Sequence, residues 1–218
     1  MRKELLQLFA VPLLITKYEN DLSKELAFVE KLQYAPNGMN GNFRSKDSFV
    51  FRKKQLQNIK KFCQNSIDIF TKEIMQAKEK LVITQSWCNN NPKGSVHHEH
   101  IHPNSIVSGV FYFRIDSHLP PIMFSKGQFD MLKLNFEKFN SVNSETFYLP
   151  LVSGELILFP SHLRHSVPRN TSDEVRISLS FNTFVTESLG SEQSLTYLNM
   201  KDIINESRWL HIQEEHTS

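Results

Sequence analysis

The sequence predicts a mainly β protein with flanking helices, whose core is a jelly roll, also called a double-stranded β-helix. Eight short runs, rich in β-branched and aromatic residues and broken by Pro, Gly and Asn, follow one another from Leu81 to about Phe184. Ahead of them, apolar residues recur at helical spacing, which predicts an N-terminal helical layer. Eight short strands in one segment are typical of a jelly roll.

The chain is predicted to fold as a single domain over residues 1–218, because its 39% hydrophobic content and its length suit one core with additions. Residues 1–80 should supply an N-terminal strand and helical support. Residues 81–185 should form the jelly-roll core, and residues 186–218 a C-terminal extension that ends as a loop and a short helix.

The N-terminal support is predicted as one strand and two helices. Leu8 to Tyr18 resembles a strand, and Ser23 follows capping residues at the start of a short helical pattern that ends near Leu32. From about Lys53 to Ala77, apolar residues lie mostly three and four positions apart, which predicts one long amphipathic helix. The segment between the two helices is polar and is predicted to be a loop.

The predicted strands of the core are short and closely spaced. They are Leu81 to Asn89, Ser95 to His102, Val107 to Ile115, Pro121 to Ser125, Leu132 to Phe139, Glu145 to Leu149, Glu155 to Phe159 and Arg176 to Phe184.

Charge and composition exclude several classes of protein. The net charge is +2 and the basic residues form no stripe, so nucleic acid is not an expected partner. No apolar stretch reaches the roughly 18 residues that a membrane-spanning helix needs. The two cysteines are too few for a disulfide framework, which favours a reducing, cytoplasmic location. The sequence leaves a homodimer open.

Six of the nine histidines fall in two short windows, 97–102 and 162–165. On an extended strand alternate side chains share a face, so His98, His100 and His102 should point the same way. Two imidazoles from this strand and His165 from a neighbouring strand would form a triangular metal site. Two alternatives stay open: His98 or Glu99 could replace one of these ligands, for instance in a His97-x-Glu99 pair, or the windows could be a solvated edge and a core histidine.

The last predicted strand alternates strictly between polar and apolar residues. If Ile177 and its apolar neighbours pack on the long helix, Arg176 and Ser178 face the interior of the barrel. A buried guanidinium is costly unless it meets an anion, and a carboxylate accepts two parallel hydrogen bonds from it. Ser178 could add a third. An arginine exposed on an edge strand is the alternative.

The order His100-x-His102, His165 and Arg176 resembles the 2-oxoglutarate/Fe(II) oxygenase superfamily, which carries His-x-Asp/Glu, a distal His and an Arg that binds the co-substrate. More narrowly, the chain resembles an oxygenase family of bacteria and phages over roughly residues 80 to 185, with a weaker likeness at Leu8 to Pro12. The segments that carry this resemblance are Trp87 to Asn89, His100 to Ser105, Ser108 to Tyr112, Gly154 to His165 and Arg176 to Asn182.

The resemblance implies an Fe(II)- and 2-oxoglutarate-dependent dioxygenase. Iron held by His100, His102 and His165 would chelate 2-oxoglutarate, and Arg176 would bind its distal carboxylate. Reaction with O₂ would release succinate and CO₂ and hydroxylate a substrate that the sequence does not identify. The residues that would support the site by hydrogen bonding are Asn89, Tyr112 and Asn182.

One position departs from the superfamily pattern, because His102 stands where an acidic ligand is usual. A related jelly-roll superfamily, the cupins, uses such histidines, so a cupin-type metal-dependent dioxygenase or isomerase that does not use 2-oxoglutarate is the alternative function. The cupin pattern lacks its usual Glu here, and Arg176 favours the oxygenase. A non-enzymatic binding module, with structural metal or none, is a third hypothesis.

Overall fold

Two antiparallel sheets face each other in the computed structural model, which describes residues 2–4, 8–127 and 134–203. The larger sheet has seven strands, in the spatial order β1 (Leu14–Lys17), β9 (Glu155–Pro160), β6 (Val107–Arg114), β11 (Arg176–Val185), β4 (Leu81–Asn91), β3 (Phe43–Ser45) and β2 (Tyr34–Pro36). The smaller sheet has the order β5 (His97–His100), β10 (Arg164–Val167), β7 (Ile122–Ser125) and β8 (Thr146–Leu149). The short strands β12 (Ser188–Leu189) and β13 (Leu198–Asn199) pair with each other. From β4 to β11 successive strands alternate between the two sheets, except that β7 and β8 both lie in the smaller sheet, and this arrangement confirms the predicted jelly roll.

Two helices cover the outer face of the larger sheet. They are α1 (Ser23–Glu30) and α2 (Gln57–Ile69). Short 3₁₀ turns, Val50–Arg52 and Lys54–Leu56, precede α2, and one π-helical turn, Phe70–Ile74, continues it. The long predicted helix is therefore confirmed in position, although its first turns are 3₁₀. Within the described residues, no helix is long and apolar enough to cross a membrane.

The apolar side chains form two cores. Buried residues of α2, including Ile59, Cys63 and Ile67, pack against the outward face of the larger sheet. A second cluster, including Tyr112, Ile122 and Phe159, lies between the two sheets. Because burying apolar area supplies most of the favourable free energy of folding, these cores fix the two sheets and the helices in place.

Strand β11 has the two-sided character that its sequence predicts. Its apolar residues Ile177, Leu179 and Phe181 belong to the core beneath the helices. Arg176 and Ser178 face the other way, into a pocket between the sheets. The strand is central in the larger sheet, since it pairs with β4 on one side and β6 on the other. The polar face of β11 therefore forms part of the pocket wall.

The strand predictions fail at three places. No strand forms over residues 134–139, and the first two residues of the predicted strand Leu132 to Phe139 lie outside the described residues. Strand β10, which carries His165, is absent from the predicted strands because it has only four residues and follows Pro160 closely. The hairpin of β2 and β3 lies in the segment that the sequence predicts as a loop, and it is held at the sheet edge by pairing of β3 with β4.

Gly109 is predicted to be required for the contact between β6 and β11. It lies opposite Phe181, and a Cβ added at Gly109 would lie 2.1 Å from Cζ of the Phe181 ring. The strands cannot move apart without breaking their hydrogen bonds, so Gly109→Ala should lower the free energy of unfolding by about 3 kcal/mol. Urea denaturation of the metal-free protein measures this loss.

A second variant separates the clash from other effects of the substitution. Phe181→Leu removes the ring that the new methyl group meets, so the double variant should lose less stability than the sum of the two single variants. Strict additivity of the two losses would contradict the proposed clash.

Candidate metal centre

Three histidines converge at one end of the pocket. His100 ends β5 and lies directly opposite His165 on β10, while His102 follows β5. The backbone N–H of His102 donates to the carbonyl of Ser161, at 2.9 Å, and this bond holds the segment after β5 beside β10. One ring nitrogen from each histidine lies within 4.8 Å of the others, which suits a metal ion between them.

In all three histidines the ring nitrogen Nδ1 is held by a hydrogen bond. Nδ1 of His100 lies 2.8 Å from the carbonyl of His98, and Nδ1 of His165 lies 2.9 Å from the carbonyl of Leu163. A carbonyl oxygen only accepts, so Nδ1 carries the proton and donates. This tautomer leaves the lone pair of Nε2 free for a metal, which is the arrangement that partners behind ligating histidines usually impose.

His102 is held by side chains from other strands. Its Nδ1 lies 2.6 Å from Oδ1 of Asn182, at the end of the polar row on β11, and 3.0 Å from Oγ of Ser108 on β6. Ser108 donates to the same Oδ1 at 3.2 Å and lies 2.8 Å from Oγ of Ser161. Four neutral polar groups thus form one connected cluster, and Asn182 fixes the ring of His102.

A β-bulge changes which histidines reach the pocket. On β10, His165 pairs with His100 and Val167 pairs with His97, so three steps on β5 match two on β10. The extra residue shifts the alternation, as a bulge does. His97 consequently lines the pocket, with its ring stacked on His100 at 4.6 Å between centroids, whereas His98 is exposed. The expectation that His98 shares the face of His100 is therefore wrong.

Glu99 does not approach the three histidines. It is exposed, accepts a hydrogen bond from Oγ of Ser125 and forms an ion pair with Arg164 at 3.4 Å. The alternative ligand pair of His97 and Glu99 is thus not brought together. His162, in the turn before β10, is also exposed.

Burial lowers the pKa of the pocket histidines. It lowers the pKa of His102 from 6.5 to about 4 and that of His165 to about 3. His97, which also has neighbouring histidines, has its pKa lowered to about 2, chiefly by burial, and the pKa of His100 is lowered as well. Neutral imidazole is the form that binds metal, so burial keeps these side chains in that form.

The metal-free protein should lose stability as the pH falls below 6.5. In this range His102 and His165 are protonated in the unfolded chain but stay neutral in the folded chain, where their pKa values are lower. The free energy of unfolding therefore decreases as the pH decreases. Each of these histidines should contribute about 1.4 kcal/mol per pH unit between its unfolded and folded pKa values. Urea denaturation between pH 7 and pH 5 measures the slope.

A matched pair of variants assigns this slope to the pocket. His165→Asn should reduce it by one histidine's contribution, whereas His162→Asn, at the exposed turn, should leave it unchanged. Equal slopes in the wild type and His165→Asn would contradict the role of burial.

Arg176 lies at the other end of the pocket and has no ionic partner among the described residues. Its side chain is only 1% exposed. Its NH1 makes long contacts to Oδ1 of Asn91 (3.4 Å) and Oγ of Ser178 (3.5 Å), and its Cζ lies 5.0 Å from the centre of the Tyr112 ring. Burial lowers the pKa of Arg176 and raises that of Tyr112 to about 12.

Several buried polar atoms near Arg176 lack a partner. They are Nε of Arg176 itself, the hydroxyl of Tyr112 and Nδ2 of Asn91. Each can donate a hydrogen bond, and buried donors without acceptors are costly. This group of donors around a buried cation fits an anion with several acceptor oxygens, such as a carboxylate.

The pocket joins the histidines to Arg176 and encloses about 350 Å³ of empty space, including its opening to solvent. Its lining residues are Trp87, Asn89, His97, His100, His102, Val110, Ile122, His165, Ser166, Val167, Arg176, Ser178 and Ser180. Asn89 donates to Oγ of Ser180 at 3.0 Å.

The residues predicted to hold the metal and the co-substrate all lie in or against this pocket, whereas the alternative ligands His98 and Glu99 do not line it. Tyr112 lies beside Arg176 and Asn182 lies behind His102, while the others line the pocket itself. Asn91, which contacts Arg176, is not among the residues predicted from the sequence. The signal was available, because Asn91 is two residues beyond Asn89 and so shares its face of β4.

Residues 85–182 match the model of a family described as "Putative 2OG-Fe(II) oxygenase". No protein of curated function gives a significant match.

Solved structures of similar fold cover most of the chain. An oxidoreductase of the 2OG-Fe(II) oxygenase family from Burkholderia pseudomallei is 13% identical, with a TM-score of 0.56, over 78% of this chain and 83% of that one. HygX from Streptomyces hygroscopicus, solved with nickel and 2-oxoglutarate bound, is 14% identical, with a TM-score of 0.59, over 81% and 84%. A prolyl-4-hydroxylase from Pseudomonas putida is 14% identical, with a TM-score of 0.58, over 81% and 94%.

At these identities the structural likeness shows the shared jelly-roll fold alone. The family match is independent of it and spans β4 to β11, including the three histidines and Arg176. The resemblance stated from the sequence is thereby confirmed: residues 85–182 match the model of a 2-oxoglutarate/Fe(II) oxygenase family, and such oxygenases are oxidoreductase enzymes.

Proposed function

We propose that this chain is an Fe(II)- and 2-oxoglutarate-dependent dioxygenase that hydroxylates a substrate and releases succinate and CO₂. The observation that carries the proposal is the fully buried Arg176, without a carboxylate partner among the described residues, in the same pocket as three converging histidines. The pair fits a co-substrate that binds a metal at one end and carries a carboxylate at the other. HygX, of the same fold, was solved with nickel and 2-oxoglutarate.

The histidines would hold the iron through Nε2. Because the carbonyls of His98 and Leu163 and the amide of Asn182 fix Nδ1–H, the three rings need no reorientation when the ion binds. Three protein ligands leave positions free for co-substrate and O₂. The bound iron would supply the activation of oxygen and the oxidation of the substrate.

The distal carboxylate of 2-oxoglutarate would bind at Arg176. The guanidinium would donate through Nε, and the hydroxyls of Tyr112 and Ser178 would add hydrogen bonds. Asn89, on the pocket wall, has an Oδ1 without a partner and would accept a hydrogen bond from a donor of the substrate. The apolar wall formed by Trp87, Val110 and Ile122 would limit the access of water.

The proposed location is the cytoplasm. Cys63 and Cys88 are both buried and unpaired, which agrees with a reducing compartment.

Anaerobic reconstitution with Fe(II), followed by addition of 2-oxoglutarate, tests the proposed function. Chelation of the 2-oxo acid should produce a charge-transfer band in the visible spectrum. 2-Oxobutyrate has the same chelating group but lacks the distal carboxylate, so it should need a much higher concentration to give the band. If iron binds but no band appears, the cupin-type alternative replaces the proposal, and if no metal binds, the metal site is refuted.

A further inference from the structure

Among the residues that the structure describes, the metal end of the pocket has no acidic side chain. None of the residues that line it is Asp or Glu, and Glu99, the nearest acidic residue in sequence, pairs with Arg164 on the outside of the smaller sheet. When one of the ligands is a carboxylate, its negative charge neutralises one of the two positive charges of a divalent ion. Within the described residues, the group of His100, His102 and His165 has no such ligand.

The hydrogen bonds behind the histidines also supply no negative charge. The acceptors at the three Nδ1 atoms are two backbone carbonyls and the amide oxygen of Asn182. Around His102, the remaining partners are the hydroxyls of Ser108 and Ser161. All of these groups are uncharged, so none of the described partners behind the ligands offsets the charge of the metal.

The charge balance of the loaded pocket follows from these two facts. A divalent ion and Arg176 bring three positive charges into a pocket whose ligand set is neutral, and the 2-oxoglutarate dianion removes two of them. One positive charge remains in a largely buried space, where an unpaired charge is strongly unfavourable. A singly charged anion would neutralise the remaining charge, whereas a dianion would replace it with a negative one.

We propose that the pocket, once loaded with metal and 2-oxoglutarate, binds one further singly charged anion beside the metal, and that a carboxylate on the primary substrate provides it. This inference rests on the proposed function. Ser180, on the pocket wall, accepts a hydrogen bond from Asn89 and keeps its hydroxyl proton free to donate to a carboxylate oxygen. The primary substrate thus belongs to the class of carboxylic acids.

Formate, the smallest carboxylate, is the probe that tests this proposal. Protein loaded with Ni(II) and 2-oxoglutarate is titrated with formate by isothermal titration calorimetry at constant ionic strength. One formate should bind per chain. His102→Asp places a carboxylate in the ligand set and neutralises the remaining charge, so it should weaken formate binding at least tenfold. His98→Asp makes the same substitution at an exposed position, and formate binding should stay within about twofold of the wild type.

The same titrations separate the outcomes. If the wild type binds neither Ni(II) nor 2-oxoglutarate, the proposed function fails and the inference fails with it. If both bind but formate does not, or if formate binds His102→Asp equally well, only the inference is overturned. If azide binds but formate does not, the anion site beside the metal is specific for an inorganic anion, and the proposal that a substrate carboxylate occupies it is refuted. Should His102→Asp fail to hold metal, Asn182→Asp places the charge behind His102 and should also weaken formate binding.

Discussion

Arg176→Leu is expected to abolish the response of the protein to 2-oxoglutarate while leaving the metal-free protein folded. Removing one partner of a buried ionic contact costs about 3 to 5 kcal/mol, because the other charge is left without compensation. The affinity of the metal-loaded protein for 2-oxoglutarate should therefore fall roughly 100-fold or more. Calorimetric titration and the rise in melting temperature on adding 2-oxoglutarate both measure this loss.

The stability of the metal-free variant gives an independent readout. Arg176 is 1% exposed and its Nε has no partner, so the folded apo protein contains a buried, uncompensated charge. Leucine removes that charge, and the free energy of unfolding of Arg176→Leu should equal or exceed that of the wild type. An arginine that served only to stabilise the fold would give the opposite result.

Arg114→Leu is the matched control for Arg176→Leu. Arg114 ends the neighbouring strand β6 and forms an ion pair with Glu30 on the helical side of the sheet. The substitution removes the same charge outside the pocket, so 2-oxoglutarate binding should be unchanged. A similar loss of binding in both variants would mean that the general field of the protein, rather than a contact at Arg176, attracts the co-substrate.

The sequence could predict features that depend on local periodicity. The polar and apolar faces of β11 follow from strict alternation, and the apolar stripe of α2 follows from helical spacing. Both patterns are read within one element and are enforced by burial, because a shift of one residue would expose the whole apolar face. For the same reason the orientation of Arg176 toward the pocket could be predicted.

Features that depend on pairing between distant strands could not be predicted. The bulge in β5 brings His97 to the pocket and leaves His98 outside, yet it arises only when β5 pairs with β10. Strand β10 itself is four residues long and follows Pro160 closely, so its sequence offers too little alternation to separate it from a turn. In both cases the deciding hydrogen bonds join segments about 40 to 70 residues apart in the sequence.

The partners of His102 illustrate the same limit within the site. Asn182 and Ser108 reach it from β11 and β6, strands that become neighbours only in the folded sheet. The sequence could name Asn182 as a supporting residue by resemblance, but the choice of tautomer at His102 depends on which atom of Asn182 faces the ring. That geometry depends on the tertiary structure. The set of uncharged groups around His102 likewise depends on which strands become neighbours in the folded sheet.

His165→Ala is expected to reduce metal affinity about 100-fold or more. Four-ligand zinc sites bind with about 10–16 kcal/mol, so one ligand contributes about 3 kcal/mol, which is roughly a 100-fold change in the dissociation constant. His165 is 4% exposed, lies opposite His100 and is the member of the three-histidine group that β10 contributes. Anaerobic titration with Ni(II) against a competing chelator measures the affinity.

Two further variants and a rescue decide whether the loss arises at the metal. Asn182→Ala leaves the three ligands in place but frees the ring of His102, and it should lower the affinity by about 10–100-fold. His98→Ala, on the exposed side of β5, should leave it unchanged. Free imidazole should enter the space left in His165→Ala and restore part of the affinity. If His98→Ala weakens metal binding as much as His165→Ala does, or if imidazole restores nothing although the variant is folded, the three-histidine site is refuted in favour of a different ligand set.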